Sequence, residues 1–290
     1  MTSHLAPVFA QYPIEVVDAD GVWLNTKAGR RVLDLYGGHA VAALGYGHPL
    51  WLQALERQAR SVPFQTNAVA MEVRERAADR LVRFAALELD TVFFVNTGAE
   101  ANENALKLAL KQTGRGKIIA TEHSFHGRTA AAGAVTWGAA EKWYGFPRAP
   151  FDVGFMPRRD EAAIAKHVDK DTAAVIIEPI QGLAGAFDMG RDYLLALRQR
   201  CSEVGALLIF DEVQCGMGRC GEPFAANLYG VTPDMITTAK ALGSGFPCAA
   251  LLMAPGVAQK LKIDALGTTF GGGPMACITN SRNDMDLVAG

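Results

Sequence analysis

Two residues carry chemistry that the rest of the chain must position. Asp211 follows the apolar run Ala206–Phe210, and Lys240 follows a second apolar approach, Met235–Ala239, twenty-nine positions later. Each run predicts a strand, so an acid and an amine stand at the carboxyl ends of two strands. In open α/β sheets, ligands bind outside those ends. A Lys there can form a Schiff base with a carbonyl compound, and an Asp there can hold a proton on the nitrogen of a heteroaromatic ring. Taken singly, each residue has an ordinary explanation. An Asp ending a strand is commonly a turn or cap residue, and a Lys before Gly243-Ser244-Gly245 is commonly a solvated loop residue.

The weight comes from what converges on the pair. Thr91–Val95 (TVFFV) is a fully apolar strand of the buried parallel type. Asn96-Thr97-Gly98 turns the chain into a helix over 99–112, and such a helix N-terminus suits a phosphate. Lys117–Thr121 is a strand that delivers EHSFHGRT, in which Phe125 can stack on a flat ring and Arg128 can fork onto a carboxylate. Ala173–Ile177 ends in Glu178-Pro179-Ile180-Gln181-Gly182, and Cys248–Ala254 is a further apolar strand. Five strand ends thus carry polar groups, which chance explains poorly. Helices are expected over 49–61, 70–86, 160–168 and 191–204. Strands alternating with helices predict a doubly wound, mostly parallel α/β sheet. Upstream, residues 14–36 alternate, with turn signals at Asp20-Gly21 and Lys27-Ala28-Gly29, and predict a small antiparallel sheet. The organisation expected is an N-terminal segment over 1–48, a large domain over 49–277 and a polar, aperiodic tail over 278–290.

Composition narrows the function. The chain has 290 residues, half of them hydrophobic, and a net charge of −2, which is globular and suggests no nucleic-acid partner. It has no apolar run of membrane-spanning length and no secretory n-region followed by an apolar core, so a cytoplasmic protein without a membrane partner is expected. Five cysteines without a CxxC pair read as reduced thiols. Six scattered histidines, with no HExxH, give no reason to expect a metal.

The segments NTGAEANENALKLA, EHSFHGRT, EPIQG, LLIFDEVQCGMGRCG, PDMITTAKALGSGFP and GTTFGGG together resemble the class III aminotransferases, and within them most the acetylornithine aminotransferases. The resemblance covers about residues 10–277. It implies fold type I and pyridoxal 5'-phosphate as cofactor. It also implies a homodimer that moves the terminal amino group of N-acetylornithine to 2-oxoglutarate, a step of arginine biosynthesis. Ornithine, succinylornithine and 4-aminobutyrate are alternative donors. It assigns Lys240 to the covalent bond with the cofactor and to proton transfer, and Asp211 to the ring nitrogen. Gln214 falls to the ring hydroxyl, Gly98 and Ala99 to the phosphate, and Phe125 to the ring face. Arg128 is given the substrate α-carboxylate. Thr269 is given the phosphate, from the partner subunit, and Thr268 a place beside the substrate.

Two departures from the family pattern stand out. Relatives nearest to ornithine aminotransferase carry Glu after EPIQG, where this chain has Leu183. The family also continues into a C-terminal α+β domain, so the expectation is that this domain is missing, and a truncated, inactive aminotransferase-like protein is the alternative. A different class, a nicotinamide oxidoreductase, is suggested by GMGRCG at 216–221, which fits GxGxxG. Glu222-Pro223 follows directly and no helix is expected to open there, so it is set aside.

Overall fold

A computed structural model describes residues 4–280. Three short strands, β1 (Val16–Asp20), β2 (Trp23–Thr26) and β3 (Arg31–Leu33), form the expected antiparallel sheet. Asp20 pairs with Trp23, so the hairpin turn is Gly21-Val22, one residue beyond the predicted centre, and Gly21 takes the positive φ of +55°.

The large sheet has seven strands: β4 (Thr91–Val95), β5 (Lys117–Thr121), β6 (Asp152–Met156), β7 (Thr172–Ile177), β10 (Leu207–Asp211), β11 (Met235–Thr238) and β12 (Ala249–Met253). A two-stranded hairpin, β8 (Ile180–Gln181) with β9 (Phe187–Asp188), stands apart from it. The spatial order is β4-β12-β11-β10-β7-β5-β6. Within the fully apolar strands, alternate residues enter two separate cores. Ile119, Val175, Ile177, Leu208, Phe210, Ile236 and Leu252 face the helices Glu72–Ala85 and Arg191–Val204. Ile118, Ala174, Ile176, Ile209, Met235 and Leu251 face the helix Gly98–Thr113. Period-two alternation inside a continuous apolar run is what a sheet covered on both faces requires.

The sheet is parallel except for β12, which runs antiparallel to both β11 and β4. The mostly parallel sheet that was expected is thus present, and the one reversed strand has a simple reason. Only the short stretch from Ala239 to Cys248 joins β11 to β12, and a parallel crossover needs a dozen residues or more. Several elements escaped the sequence pattern, two of them informative. Strand β6 is an edge strand whose Gly154 lies against Ile119, so close that a Cβ there would come within 2.7 Å of the Ile119 side chain. A short helix, Ala225–Tyr229, does follow the 216–221 turn, against expectation. One helix crosses the boundary at which the tail was expected to begin. The helix Pro274–Asn280 runs into it, with Cys277 fully buried and Ile278 packed on the core. Residues 281–290 of that tail lie outside the described residues.

Candidate active site

The carboxyl ends of β4, β5, β7, β10 and β11, with the start of β12, meet at one edge of the sheet, around a cavity of about 490 Å³. Asp211 is the last residue of β10 and is 3% exposed. Its carboxylate is fixed on three sides. Oδ2 accepts from Asn102 Nδ2 at 2.7 Å and meets His126 Nδ1 at 2.7 Å, while Oδ1 accepts from the Val213 amide at 3.1 Å. Asn102 is itself clamped, since its Oδ1 accepts from Thr237 Oγ1 at 2.6 Å and its Nδ2 also donates to the His126 carbonyl at 2.8 Å. A buried charge needs such partners to persist.

Lys240 opens a 3-10 turn, Lys240–Leu242, with a left-handed φ of +49°. A non-glycine residue in that region carries strain that the surroundings must hold. Burial lowers the Lys240 pKa, and the charges of Asp211 and Glu178 act the other way. Glu178, at the end of β7, is 5% exposed and accepts from the Phe125 amide at 2.9 Å. Its own pKa is pushed up, chiefly by burial, against the opposing influence of His126.

Opposite this cluster the helix Gly98–Thr113 presents its N-terminus. Thr97 caps it, its side chain accepting from the Glu100 amide at 3.1 Å. The first-turn N–H groups of Gly98 and Ala99 have no acceptor within their helix, and both residues line the cavity. Two glycines make room here. A Cβ on Gly98 would stand 2.7 Å from both methyls of Val213, and one on Gly127, whose φ is +135°, would stand 2.6 Å from the Ala99 Cβ. Gln214 packs on Gly182, where a Cβ would collide with its side chain.

The structure therefore brings Gly98, Ala99, Phe125, Arg128, Asp211, Gln214 and Lys240 around one cavity, with Leu183 also on its wall. Thr268 and Thr269 do not line it. Thr268 Oγ1 instead donates to Glu100 Oε1 at 3.1 Å. Sequence reasoning missed Asn102 altogether and gave no role to His126, Glu178 or Val213, although their strand ends were among the five that converge. Asn102 had a signal, being a polar residue within the buried face of its helix, alongside Ala101, Ala105 and Leu106.

The 216–221 turn lies outside this arrangement as a phosphate site. The amides of Ala225 and Ala226, which begin the helix after it, are taken by Glu212 Oε2 at 2.6 Å and Oε1 at 2.8 Å. A carboxylate occupies the place a pyrophosphate would need. Among the described residues there is no cluster suited to a metal ion and no helix long and apolar enough to cross a membrane.

Known proteins resemble this chain in sequence and in fold. The chain is 41% identical over 280 residues to the acetylornithine/succinyldiaminopimelate aminotransferase of Yersinia pestis, covering 94% of this chain and 68% of that one. It is 42% identical over 290 residues to an acetylornithine aminotransferase of Neisseria meningitidis, covering 97% of this chain and 72% of the relative. Among solved structures, the ornithine aminotransferase of Toxoplasma gondii superposes with a TM-score of 0.91 at 28% identity, over 99% of this chain and 69% of that one. The taurine:2-oxoglutarate aminotransferase of Bifidobacterium kashiwanohense, solved with PLP and glutamate, does so with a TM-score of 0.88 at 28% identity, over 98% and 72%. The sequence profile of the class-III aminotransferases matches residues 6–283, and the chain belongs to that family.

Proposed function

We propose that this chain binds pyridoxal 5'-phosphate on Lys240 and transfers the terminal amino group of N-acetylornithine to 2-oxoglutarate, giving the semialdehyde and glutamate. The observation that carries the reading is the facing pair at one cavity: a carboxylate held by three donors, and a lysine whose burial favours the uncharged amine. The residues fit the cofactor. A cavity of about 490 Å³ lies within the usual range for such ligands, and the vacant N–H groups at Gly98 and Ala99 suit its phosphate.

When bound, the cofactor supplies a carbonyl carbon and a ring that takes up electron density. The protein does the rest. Lys240 Nζ would hold the cofactor through that carbonyl carbon, its oxygen leaving as water, and the amine, once displaced by the substrate's own, would take a proton from the substrate carbon and return it. Asp211, held in place by Asn102, His126 and the Val213 amide, would stabilise a proton on the ring nitrogen. Phe125 covers the ring, Gln214 meets its hydroxyl, and Arg128 takes the substrate α-carboxylate. Leu183, 57% exposed on the cavity wall, puts no carboxylate where ornithine-type relatives carry one. Thr269 serves the phosphate of a second copy and Thr268 lies near its substrate, so the active form is a homodimer, as sedimentation should show. A cytoplasmic location accords with this chemistry.

Borohydride reduction followed by peptide mapping should place the cofactor on Lys240. Label on another lysine, or none in a folded and cofactor-loaded sample, overturns the assignment. Turnover of N-acetylornithine with 2-oxoglutarate, compared with ornithine, succinylornithine and 4-aminobutyrate, tests the substrate.

A further inference from the structure

Arg128 is exposed, lines the cavity, and among the described residues pairs with no carboxylate. Its guanidinium carbon instead lies over the ring of Trp143, 4.4 Å from the centroid. That contact joins two stretches of chain, and both are pinned. On the Arg128 side, Glu103 reaches across from the helix Gly98–Thr113. It accepts from Thr129 Oγ1 at 2.6 Å and from the amides of Ala131 and Ala132 at 3.0 Å each. On the Trp143 side, the Tyr144 hydroxyl donates to the Ala130 carbonyl at 2.5 Å. Between them lies Gly133, where a Cβ would come within 3.0 Å of the Tyr144 ring and 3.4 Å of the Trp143 ring. The indole is thus backed by a glycine and carries the guanidinium on its other contact.

We propose that Trp143 is the positioning residue for Arg128, and that through it this chain favours amino donors bearing an α-carboxylate. The inference rests on the reading of Arg128 as the carboxylate binder. The physical case is a matter of what kind of partner holds the cation. A carboxylate beside Arg128 would neutralise its charge and consume its forked N–H donors. An aromatic face attracts the cation through the ring quadrupole and accepts none of the in-plane N–H groups. The side chain therefore loses rotamer freedom before substrate arrives while keeping both its charge and its fork. The entropy of ordering a long side chain is spent in the free protein rather than on binding.

The test uses the cofactor-loaded protein and two ligands, N-acetylornithine and the same molecule without its α-carboxylate, titrated calorimetrically. Trp143→Ala should weaken N-acetylornithine about 2- to 30-fold, the range of one cation–π contact, and leave the decarboxylated ligand unchanged. Trp143→Phe should restore most of the loss. Trp143→Leu, which keeps apolar volume against Gly133 but no π face, should behave like the Ala variant and guards against a folding failure. Cofactor absorbance and melting temperature should hold in the Phe and Leu variants. Equal weakening of both ligands, or none, overturns the proposal. Arg128→Ala separates the two levels. If it abolishes the preference for the carboxylate while the Trp143 variants keep it, the positioning role alone falls. If Arg128→Ala leaves the preference intact, the carboxylate reading falls and this inference falls with it.

Discussion

Glu212 offers the sharpest test of the local electrostatics. It is fully buried, caps the helix Ala225–Tyr229, and receives the amides of Ala225 and Ala226 and the Cys215 thiol. Burial pushes its carboxyl up to about 7 from the ordinary 4.5, against the pull of those amides, and the neighbouring Asp211 charge adds to the rise. Between pH 4.5 and 7 the folded protein therefore holds a proton on Glu212 that the unfolded chain has released. Folding stability must fall as pH rises through that window, because there the folded state binds more protons. At 1.36 kcal/mol per pKa unit, this one group makes the protein less stable at pH 8 than at pH 5 by roughly 2–3 kcal/mol. Glu212→Gln removes the titration and keeps an acceptor for one of the two helix amides, a cost that does not vary with pH. Urea midpoints for both proteins at pH 5, 6, 7 and 8 give the difference in stability at each pH. Glu178, which burial also raises, is present in both and cancels. The variant should gain on the wild type steadily as pH rises, and parallel curves across the window would refute the argument.

Three further outcomes follow from the site. Asp211→Asn should retain cofactor while the single-turnover rate falls about 10²-fold or more, since the fixed charge matters most as charge develops; an equal loss of cofactor affinity would count against that. Arg128→Ala should weaken N-acetylornithine by about 1.5–3 kcal/mol, the scale of a charge-assisted hydrogen bond, with cofactor content unchanged. Gly98→Ala should lower the melting temperature through overpacking of about 1–3 kcal/mol against Val213, and adding Val213→Ala should recover it.

Legibility in the sequence followed how local each cause is. Thr91–Val95, Lys117–Thr121 and the helices Pro49–Ser61 and Arg191–Val204 were readable because their apolar patterns end at clear breakers. Asp211 and Lys240 were readable because they terminate such patterns. Strand β6 was not, since its glycine is explained only by Ile119 on the neighbouring strand. Nor was the bonding of Asp211, whose partners Asn102 and His126 stand far away in the chain and have ordinary alternatives as helix and loop residues. The reversed direction of β12 was written only in the length of the loop before it.

That reversed strand also sets a timetable for synthesis. Strand β4 pairs with β12 alone, Thr91 opposite Met253, whereas β5, β6, β7, β10 and β11 can assemble among themselves. The helix that starts at Gly98 follows β4 directly. A ribosome adding about 5–20 residues per second needs roughly 8–30 s to travel from one member of that pair to the other. Throughout that interval β4 has no strand beside it, and the helix N-terminus at Gly98 that lines the cavity is not yet fixed in place. Cofactor added to arrested nascent chains should bind only once β12 has cleared the exit tunnel.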